Sequence, residues 1–304
     1  MATTSLDTND IIRGDKYNQP LIVIAGPTAS GKSGVAIEIA EQYSGEIIAA
    51  DSRTIFTGMD IGTAKPSAAD QARAPHWGLD LVLPGQPFSA ADFKTYAIQK
   101  IAEIRSRGHL PILVGGTGLY VDSVVFDYEF GPAADPVLRA ELEQKSLQEL
   151  HTYCIQNNIT LPENDKNKRY VIRAIELKSI SAKRSQTPIK NCIIVGIATD
   201  RDVLRKRIAL RAEQLFDDGV VAEAKTLGDM YGWESEAMTG NIYRLAHAYI
   251  DGLITEDELK YRNENADWQL AKRQQTWLKR NAYIEWLALE QVKKYIARHL
   301  ASEV

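Results

Sequence analysis

The chain has 304 residues, 44% of them hydrophobic, which is enough apolar material for a packed core in one or two domains. Its formal net charge of −4 excludes an overall positive field toward nucleic acid or membranes, so any RNA contact must come from local basic clusters. Its two cysteines, Cys154 and Cys192, argue against a disulfide framework or a cysteine zinc site and favour reduced thiols in a cytoplasmic protein.

The chain begins with a polar segment, residues 1–18, which lacks the basic and apolar regions of a secretory signal and is expected to be a flexible tail. A short apolar run follows at Leu21–Ala25 and predicts a buried parallel strand. A glycine-rich segment then leads into a predicted helix from Lys32 to about Tyr43. Residues 46–50 predict a second strand, which ends at Asp51.

Strands and helices continue to alternate further along the chain. Ser89 begins an amphipathic helical pattern that ends at Gly108, and apolar runs at 110–114 and 193–198 predict two more strands. Asp200 is expected to cap a further helix. This alternation indicates an α/β fold built on a parallel sheet.

The strand signals fade between residues 129 and 190, where helical patterns dominate. We therefore predict a helical insertion domain at 129–190, within a core formed by 19–128 and 191–304 whose C-terminal part is mostly helical. No run of about 18 apolar residues occurs, so no membrane span is predicted.

The segment Gly26-Pro27-Thr28-Ala29-Ser30-Gly31-Lys32-Ser33 fits the phosphate-binding pattern G-x-x-x-x-G-K-[ST]. Its glycines let the backbone bend around an anion with N–H groups pointing inward, and the following helix adds its positive dipole end. Lys32 supplies a cation to phosphate oxygens, and the Ser33 hydroxyl can bind Mg²⁺. The segment predicts a P-loop NTPase-like core and a bound phosphate, but it leaves the reaction open.

Two aspartates follow apolar strands and could complete a nucleotide hydrolase or kinase site. Asp200 has the position of a helix cap, and the strand at 110–114 ends in glycines, which weakens an ordinary nucleoside-triphosphate hydrolase. Asp51 follows the second strand, and the carboxyl ends of parallel strands line the ligand crevice. Asp51 can therefore bind Mg²⁺ or act as a base near the phosphate loop.

Several segments, in the right order, resemble tRNA dimethylallyltransferases, also called tRNA isopentenyltransferases. They are the phosphate loop, Asp51-Ser52-Arg53, and the segments 58–66, 88–93, 114–120, 171–176 and 271–277. Each segment alone is unspecific, but the combination is highly specific and spans residues 26 to about 280.

The resemblance implies transfer of a dimethylallyl group from dimethylallyl diphosphate to N6 of the adenine directly 3′ of the tRNA anticodon (position 37), with Mg²⁺ required. By position, Asp51 resembles the general base, Thr28, Lys32 and Arg211 resemble catalytic contacts to the diphosphate, and Ser33 resembles the metal ligand. Loop residues 26–33 would bind the diphosphate. The implied tRNA contacts are Asp51, Ser52, Arg53, Thr54, Thr117, Arg169, Tyr170, Val171, Ile172, Arg173, Lys272 and Arg273. No obligate protein partner is implied, and we expect a monomer.

These roles make chemical sense. The exocyclic amine of adenine is a poor nucleophile because its lone pair is delocalised into the ring. A carboxylate that removes its proton during attack should help by about 10²–10⁴-fold. The leaving diphosphate gains charge, which Lys32, Arg211 and Mg²⁺ can stabilise where it develops.

The chain departs from the family pattern at three places. Residues 75–80 read Pro-His-Trp-Gly-Leu-Asp where the family usually has Pro-His-His-Leu-Ile-Asp. Residues 241–244 read Asn-Ile-Tyr-Arg in place of a segment that often begins Ile-Gly-Tyr, and Arg169-Tyr170 replaces an arginine pair. These changes bear on individual RNA contacts rather than on the reaction.

Two local basic clusters could bind RNA. Residues 166–190 contain eight lysines and arginines opposed only by Glu176, and basic residues at 272–280 are interleaved with Trp268 and Trp277. Basic surface with aromatic side chains suits a single-stranded RNA loop, whose bases can unstack.

Three other functions remain open from the sequence. Arg207 and Arg211 lie four residues apart on one helix face, as a small-molecule kinase would place a phosphate-closing lid. An isopentenyltransferase acting on free adenine nucleotides would use the same loop but would have little use for the basic insertion. A non-catalytic RNA-binding protein with a nucleotide switch would leave Asp51 without a chemical role.

Overall fold

The computed structural model describes residues 19–178 and 183–302, so the tail expected at 1–18 lies outside the described residues. The chain separates into two compact units. The first, here called the sheet unit, comprises the described residues up to Phe126 and from Thr187 onward, and the second, the helical unit, is Asp127–Gln186. The sequence predicts the helical insertion at 129–190.

A six-stranded sheet with parallel pairing throughout forms the centre of the sheet unit, in the order β3-β2-β4-β1-β5-β6. The strands are β1 Leu21–Ala25, β2 Gly45–Ala49, β3 His76–Trp77, β4 Leu110–Gly115, β5 Cys192–Ala198 and β6 Glu285–Ala288. Every residue of β1 is fully buried, because β1 lies between β4 and β5 with helices over the sheet. The predicted α/β fold with a parallel, P-loop NTPase-like core is confirmed.

Twelve α-helices occur in the described part of the chain. They are α1 Lys32–Tyr43, α2 Ala68–Arg73, α3 Ala90–Ser106, α4 Gly118–Val125, α5 Pro136–Gln144, α6 Leu147–Gln156, α7 Lys168–Leu177, α8 Arg201–Asp217, α9 Val220–Tyr231, α10 Asn241–Ile250, α11 Glu256–Leu278 and α12 Leu289–Ser302. A short 3₁₀ helix at Ala237–Thr239 precedes α10. Helices α5 to α7 belong to the helical unit.

The helix starts follow local capping chemistry. Ser89 and Asp92 form a reciprocal capping box at the start of α3. The Asp200 carboxylate accepts hydrogen bonds from the N–H groups of Asp202 and Val203 at 2.8 and 3.2 Å. The capping role predicted for Asp200 is therefore confirmed.

Two edge strands of the sheet were not predicted. Strand β3 has only two residues and pairs through Ile47 opposite His76, and β6 has four residues and pairs through Val195 opposite Glu285. The C-terminal part is mostly helical, as expected, and contains this strand at Glu285–Ala288. Segments this short carry too few alternating positions to be distinguished from turns.

The helical unit has an apolar core of its own. Its helices bury Leu142, Leu150, Cys154, Val171, Ile172 and Ile175 against one another. Glu129 and Lys183 exchange two backbone hydrogen bonds, N–H to O at 2.8 and 3.2 Å, which tie the ends of the unit together. Across the described chain, no helix is both long and apolar enough to cross a membrane.

Candidate active site

A cavity of 510 Å³ opens in the sheet unit where β1, β2 and β4 end. The phosphate loop and the segment after β2 form part of its wall, as expected for the carboxyl ends of parallel strands. Other wall residues are Gly62, Thr63, Ala64, Pro66, Thr117, Arg211, residues 240–243 and the α11 residues Asp267, Leu270, Arg273 and Gln274.

The phosphate loop has the backbone conformation that a bound anion requires. Ala29 and Gly31 lie in the left-handed region, with φ of 60° and 92°. Gly31 caps α1 without a side chain, so the first amides of the helix remain available to a ligand in the cavity. The Ser30 hydroxyl is fully buried and has no hydrogen-bond partner among the described residues.

Three cations surround this loop. The Lys32 ammonium donates to the carbonyl of Pro27 at 3.2 Å, and Arg207 donates to the carbonyl of Ser30 at 3.0 Å. The Arg211 guanidinium bonds to the Thr28 hydroxyl. Helix α8 thus brings both of its predicted arginines onto the loop from one face.

Burial in the cavity destabilises the charged form of Lys32. Burial lowers its pKa to about 8, the nearby Asp51 carboxylate opposes this change, and the Arg211 charge adds to it. A polyanion such as diphosphate would stabilise the charged form of Lys32.

Asp51 lies on the same cavity as the loop. Its Oδ1 accepts a hydrogen bond from the Arg53 N–H at 2.8 Å, and the Ser52 N–H donates to the Thr117 hydroxyl at 3.1 Å. The Arg53 guanidinium donates to the carbonyls of Glu236 and Ala237, at 3.2 and 3.4 Å. The expected residues Asp51, Ser52, Arg53, Thr54 and Thr117 all line this cavity.

The sequence does not predict three cavity residues of α11, which are Asp267, Leu270 and Gln274. Gln274 Oε1 accepts a hydrogen bond from the Thr28 N–H at 2.8 Å, and so occupies an amide of the phosphate loop. Asp267 also lines the cavity, where burial raises its pKa and the Arg211 charge opposes the rise. Helical spacing could have indicated these residues. Residues 267, 270 and 274 share one helix face, and residue 274 belongs to the family-like segment 271–277.

The expected RNA contacts fall into both units. Arg273 lines the cavity and Lys272 is exposed, whereas Arg169 and Tyr170 are exposed in the helical unit. Arg173 bonds to Glu176 at 3.1 Å and to the carbonyl of Pro132 at 2.8 Å.

Two of the expected contacts are corrected by the structure. The side chains of Val171 and Ile172 are only 0% and 3% exposed, because α7 turns them into the apolar core of the helical unit. They stabilise this unit rather than offer side chains to RNA.

The departures from the family pattern have structural roles. The Trp77 indole donates to buried Glu46 at 2.6 Å. Gly78, at φ 83°, packs so closely on β2 that an added Cβ would lie 2.8 Å from the carbonyl oxygen of Ala49. Tyr243 is 2% exposed and donates to Glu223 at 2.8 Å.

The donor atoms at the cavity suit magnesium. The Ser33 hydroxyl and the Asp51 carboxylate both line it, and the described residues contain no cluster of three His, Cys, Asp or Glu side chains suited to a metal. Mg²⁺ is typically held by one or two protein oxygens together with substrate phosphates. These two residues fit that arrangement.

Comparison with known proteins identifies similar chains. The family model for IPP transferase matches residues 54–281. The tRNA dimethylallyltransferase of Bacillus subtilis is 34% identical over 310 residues, covering 94% of this chain and 98% of that protein. The crystal structure of tRNA isopentenylpyrophosphate transferase from Bacillus halodurans has a TM-score of 0.72 and 34% identity, over 94% of this chain and 96% of that one. A eukaryotic dimethylallyltransferase acting on tRNA, 21% identical, shares the fold with a TM-score of 0.75, over 90% of this chain and 75% of that one.

Proposed function

Because this chain belongs to the IPP transferase family, we propose that it is a tRNA dimethylallyltransferase. It transfers a dimethylallyl group from dimethylallyl diphosphate to N6 of the adenine 3′-adjacent to the anticodon, position 37, and so yields N6-dimethylallyladenosine and diphosphate. The observation that carries this function is one cavity that joins a phosphate loop, the cations Lys32 and Arg211, and the carboxylate of Asp51.

The donor diphosphate would bind to the phosphate loop, residues 26–33. Its oxygens would accept hydrogen bonds from the loop amides and from Thr28, Lys32 and Arg211. These groups would stabilise the negative charge that develops as the leaving group departs. Ser33 would hold Mg²⁺, which when bound supplies further neutralisation of the diphosphate.

The acceptor amine would lie beside Asp51. As the bond from N6 to the allylic carbon forms, the bond from that carbon to the diphosphate oxygen breaks, and its electron pair leaves with the diphosphate. Asp51 takes the proton that N6 loses, and so avoids a positively charged amine.

The allyl group requires an environment that excludes water, because water would otherwise capture the developing cation. Ala36, Ile47, Ala49 and Val114 supply apolar side chains to the cavity next to Lys32. We assign the allyl group to this wall.

The tRNA would present its anticodon loop, because the target adenine must leave the base stack to reach a cavity. Ser52, Arg53, Thr54 and Thr117 line that cavity and would contact the flipped base or its neighbours. Arg273 would contact the RNA at the cavity wall. Lys272 of the sheet unit, and Arg169, Tyr170 and Arg173 of the helical unit, would contact the RNA outside it. The compartment implied by this substrate is the cytoplasm, and the proposed active form is a monomer.

A transfer assay tests the proposal. Labelled dimethylallyl diphosphate and Mg²⁺ are incubated with the enzyme and either unmodified tRNA or AMP, ADP or ATP. Asp51→Asn is the diagnostic variant because the Asn side-chain oxygen can still accept from the Arg53 N–H. Asp229→Asn, which changes an exposed carboxylate on α9, is the matched control.

Label should enter adenine 37 of tRNA with the wild type and the control, and about 10²–10⁴-fold more slowly with Asp51→Asn. The affinity for tRNA should stay unchanged in that variant. Label found only in free nucleotide would keep the chemistry and remove the RNA substrate. Phosphate transfer from ATP with no prenyl transfer would favour the kinase, whose lid Arg207 and Arg211 would form.

A further inference from the structure

One wall of the cavity is a loop, residues 60–65, with several internal hydrogen bonds and no role in the chemistry proposed above. Residues 60–65 make two internal backbone hydrogen bonds, from the Ala64 N–H to the Ile61 carbonyl at 2.8 Å and from the Lys65 N–H to the Asp60 carbonyl at 2.9 Å. Ala64 is in the left-handed region at φ 48°. Gly62, Thr63 and Ala64 line the cavity.

The end of this loop is held by Lys65, which donates to Asp80 at 2.7 Å and to the Phe56 carbonyl at 3.0 Å. Its start is held by a carboxylate from α9. Glu223 Oε2 accepts hydrogen bonds from the N–H groups of Asp60 and Ile61, at 2.9 and 2.7 Å, and Oε1 accepts from Gly62 N–H at 2.9 Å. The Tyr243 hydroxyl donates to Oε1 at 2.8 Å. Both carboxylate oxygens are thus saturated by four donors, and three of these donors are consecutive backbone amides.

The second partner of Glu223 also shapes the loop. Tyr243 lies so close to Gly62 that an added Cβ would come within 2.6 Å of the tyrosine ring and hydroxyl. Burial, followed by the Glu223 charge, raises the pKa of Tyr243, so its hydroxyl stays protonated and remains a donor. Tyr243 itself lines the cavity.

The loop then reaches the diphosphate site through one backbone group. The Thr63 carbonyl accepts a hydrogen bond from Arg211 at 3.5 Å, and the other contact of that guanidinium is the Thr28 hydroxyl of the phosphate loop. Arg211 Nε is buried and has no hydrogen-bond partner among the described residues. The Thr28 hydroxyl and the Thr63 carbonyl therefore help to direct the guanidinium, together with the charge of the nearby Asp267.

We propose that Glu223 is a positioning residue: by holding the amides of residues 60–62 it sets the Thr63 carbonyl that directs Arg211 onto the leaving diphosphate. The inference rests on the proposed function for the role of Arg211 in transfer. Glu223 does not line the cavity, so it would act through the loop and Arg211. A carboxylate is required at this position because both of its oxygens accept hydrogen bonds. The side-chain amide of glutamine has only one acceptor oxygen, and its NH₂ group would face N–H or O–H donors.

The test compares Glu223→Gln with Asp229→Asn, which changes an exposed carboxylate on the same helix. Pyrophosphate affinity, measured by calorimetry, should weaken by about tenfold in Glu223→Gln, as expected when a buried hydrogen-bonding group loses its partner. The KM for dimethylallyl diphosphate should rise in parallel, with the affinity for tRNA unchanged. Tyr243→Phe keeps three of the four bonds to Glu223 and should give a smaller loss.

A double-mutant cycle with Arg211→Ala separates positioning from a merely structural role. If Glu223 acts through Arg211, then Glu223→Gln should weaken pyrophosphate binding little further once Arg211 is absent. A lower melting temperature with unchanged pyrophosphate affinity, or losses that add fully in the double variant, would overturn the proposal. Because pyrophosphate binding needs no prenyl acceptor, failure of the proposed function would appear instead as absent transfer by the wild type.

Discussion

The ammonium of Lys32 lies in the cavity, where the charges of Asp51 and Arg211 both act on it. With its pKa lowered to about 8, mainly by burial, part of the enzyme population holds Lys32 neutral in mildly alkaline solution. Only the charged form can stabilise the diphosphate. Binding should therefore take up protons when the pH is at or above that pKa.

Pyrophosphate affinity should fall as the pH rises through about 8, approaching about tenfold per pH unit above it. In Lys32→Arg the side chain stays charged over the whole pH range. Pyrophosphate titrates in the same way with both proteins, so the difference between their affinities at each pH reports Lys32 alone. Calorimetry in buffers of different ionisation enthalpy measures the proton uptake. Parallel pH profiles for the wild type and Lys32→Arg would contradict this prediction.

A close backbone approach beside Asp51 gives a second prediction. An added Cβ at Gly115 would lie 2.0 Å from the carbonyl oxygen of Ala50, the residue before Asp51. Gly115→Ala should lower the free energy of unfolding by about 1–3 kcal/mol, as overpacking does, and should displace Asp51.

The control for Gly115→Ala is a glycine with free space. Gly34 lies in α1, and an added Cβ there meets nothing within 4 Å. Gly34→Ala should raise the free energy of unfolding by about 0.5–1 kcal/mol through lower chain entropy. Urea unfolding of both variants tests the pair, and equal effects would contradict the steric argument.

At the scale of an element, strand β2 begins with a buried carboxylate. The Glu46 side chain is 4% exposed, accepts two hydrogen bonds from Arg107 at 3.0 and 2.7 Å and one from Trp77, and lies 2.6 Å from His109 Nδ1. Burial by itself would raise the pKa of Glu46, but the hydrogen bonds from Arg107, His109 and Trp77 together lower it below 4.5. This carboxylate joins β2 to edge strand β3 and to the turn before β4.

Glu46→Gln should lower the free energy of unfolding by about 1–3 kcal/mol at neutral pH, because buried donors lose their acceptor. As the pH falls, the unfolded chain binds the proton first, so the stabilisation is complete above the ordinary value of 4.5 and is lost through the lower folded pKa. Urea unfolding across this range should show the two proteins converging. Glu41→Gln, which removes an exposed pair with Arg73, should show little change.

Helix α11 combines two roles along its length. Gln274 contacts the phosphate loop, and Trp268, 8% exposed, has the cations of Arg201, Arg205 and Lys272 at 5.7, 4.9 and 6.0 Å from its ring. Trp268 therefore packs in the apolar core, and three positively charged side chains lie near its ring. The overall charge of −4 conceals such local clusters.

At the scale of the whole molecule, the helical unit carries the larger basic segment. Lys166 and Lys178 are exposed in it, whereas Lys168 donates to the carbonyl of Glu143 at 2.7 Å. The double variant Lys166→Gln/Lys178→Gln should weaken tRNA binding and lower the slope of log affinity against log salt by about one per lost phosphate contact. Pyrophosphate affinity should not change.

Lys145→Gln, in the same unit but outside the basic segment, is the matched control for that experiment. Filter binding over a range of salt concentrations measures the slope. An unchanged slope in the double variant would show that this segment is an ordinary solvated surface.

Structural features that depend only on neighbouring residues can be predicted from the amino-acid sequence of this protein. The phosphate loop, β1 and α1 follow one another within a few residues, and their pattern of glycine, apolar and capping residues specifies them locally. Strand β2, helix α3 and the Asp200 cap were found for the same reason. The roles of Asp51 and Arg211 are predicted from the resemblance to the tRNA dimethylallyltransferase family.

The distant groups that complete the cavity are brought together by the assembled fold and are not predictable from local sequence. Gln274 is 246 residues from its partner Thr28, and Glu223 is 162 residues from Ile61. Edge strands β3 and β6 are defined by pairing with strands far along the chain, rather than by their own two and four residues. Local hydrophobic periodicity does not predict such contacts, because they form only when the sheet and its helices have assembled.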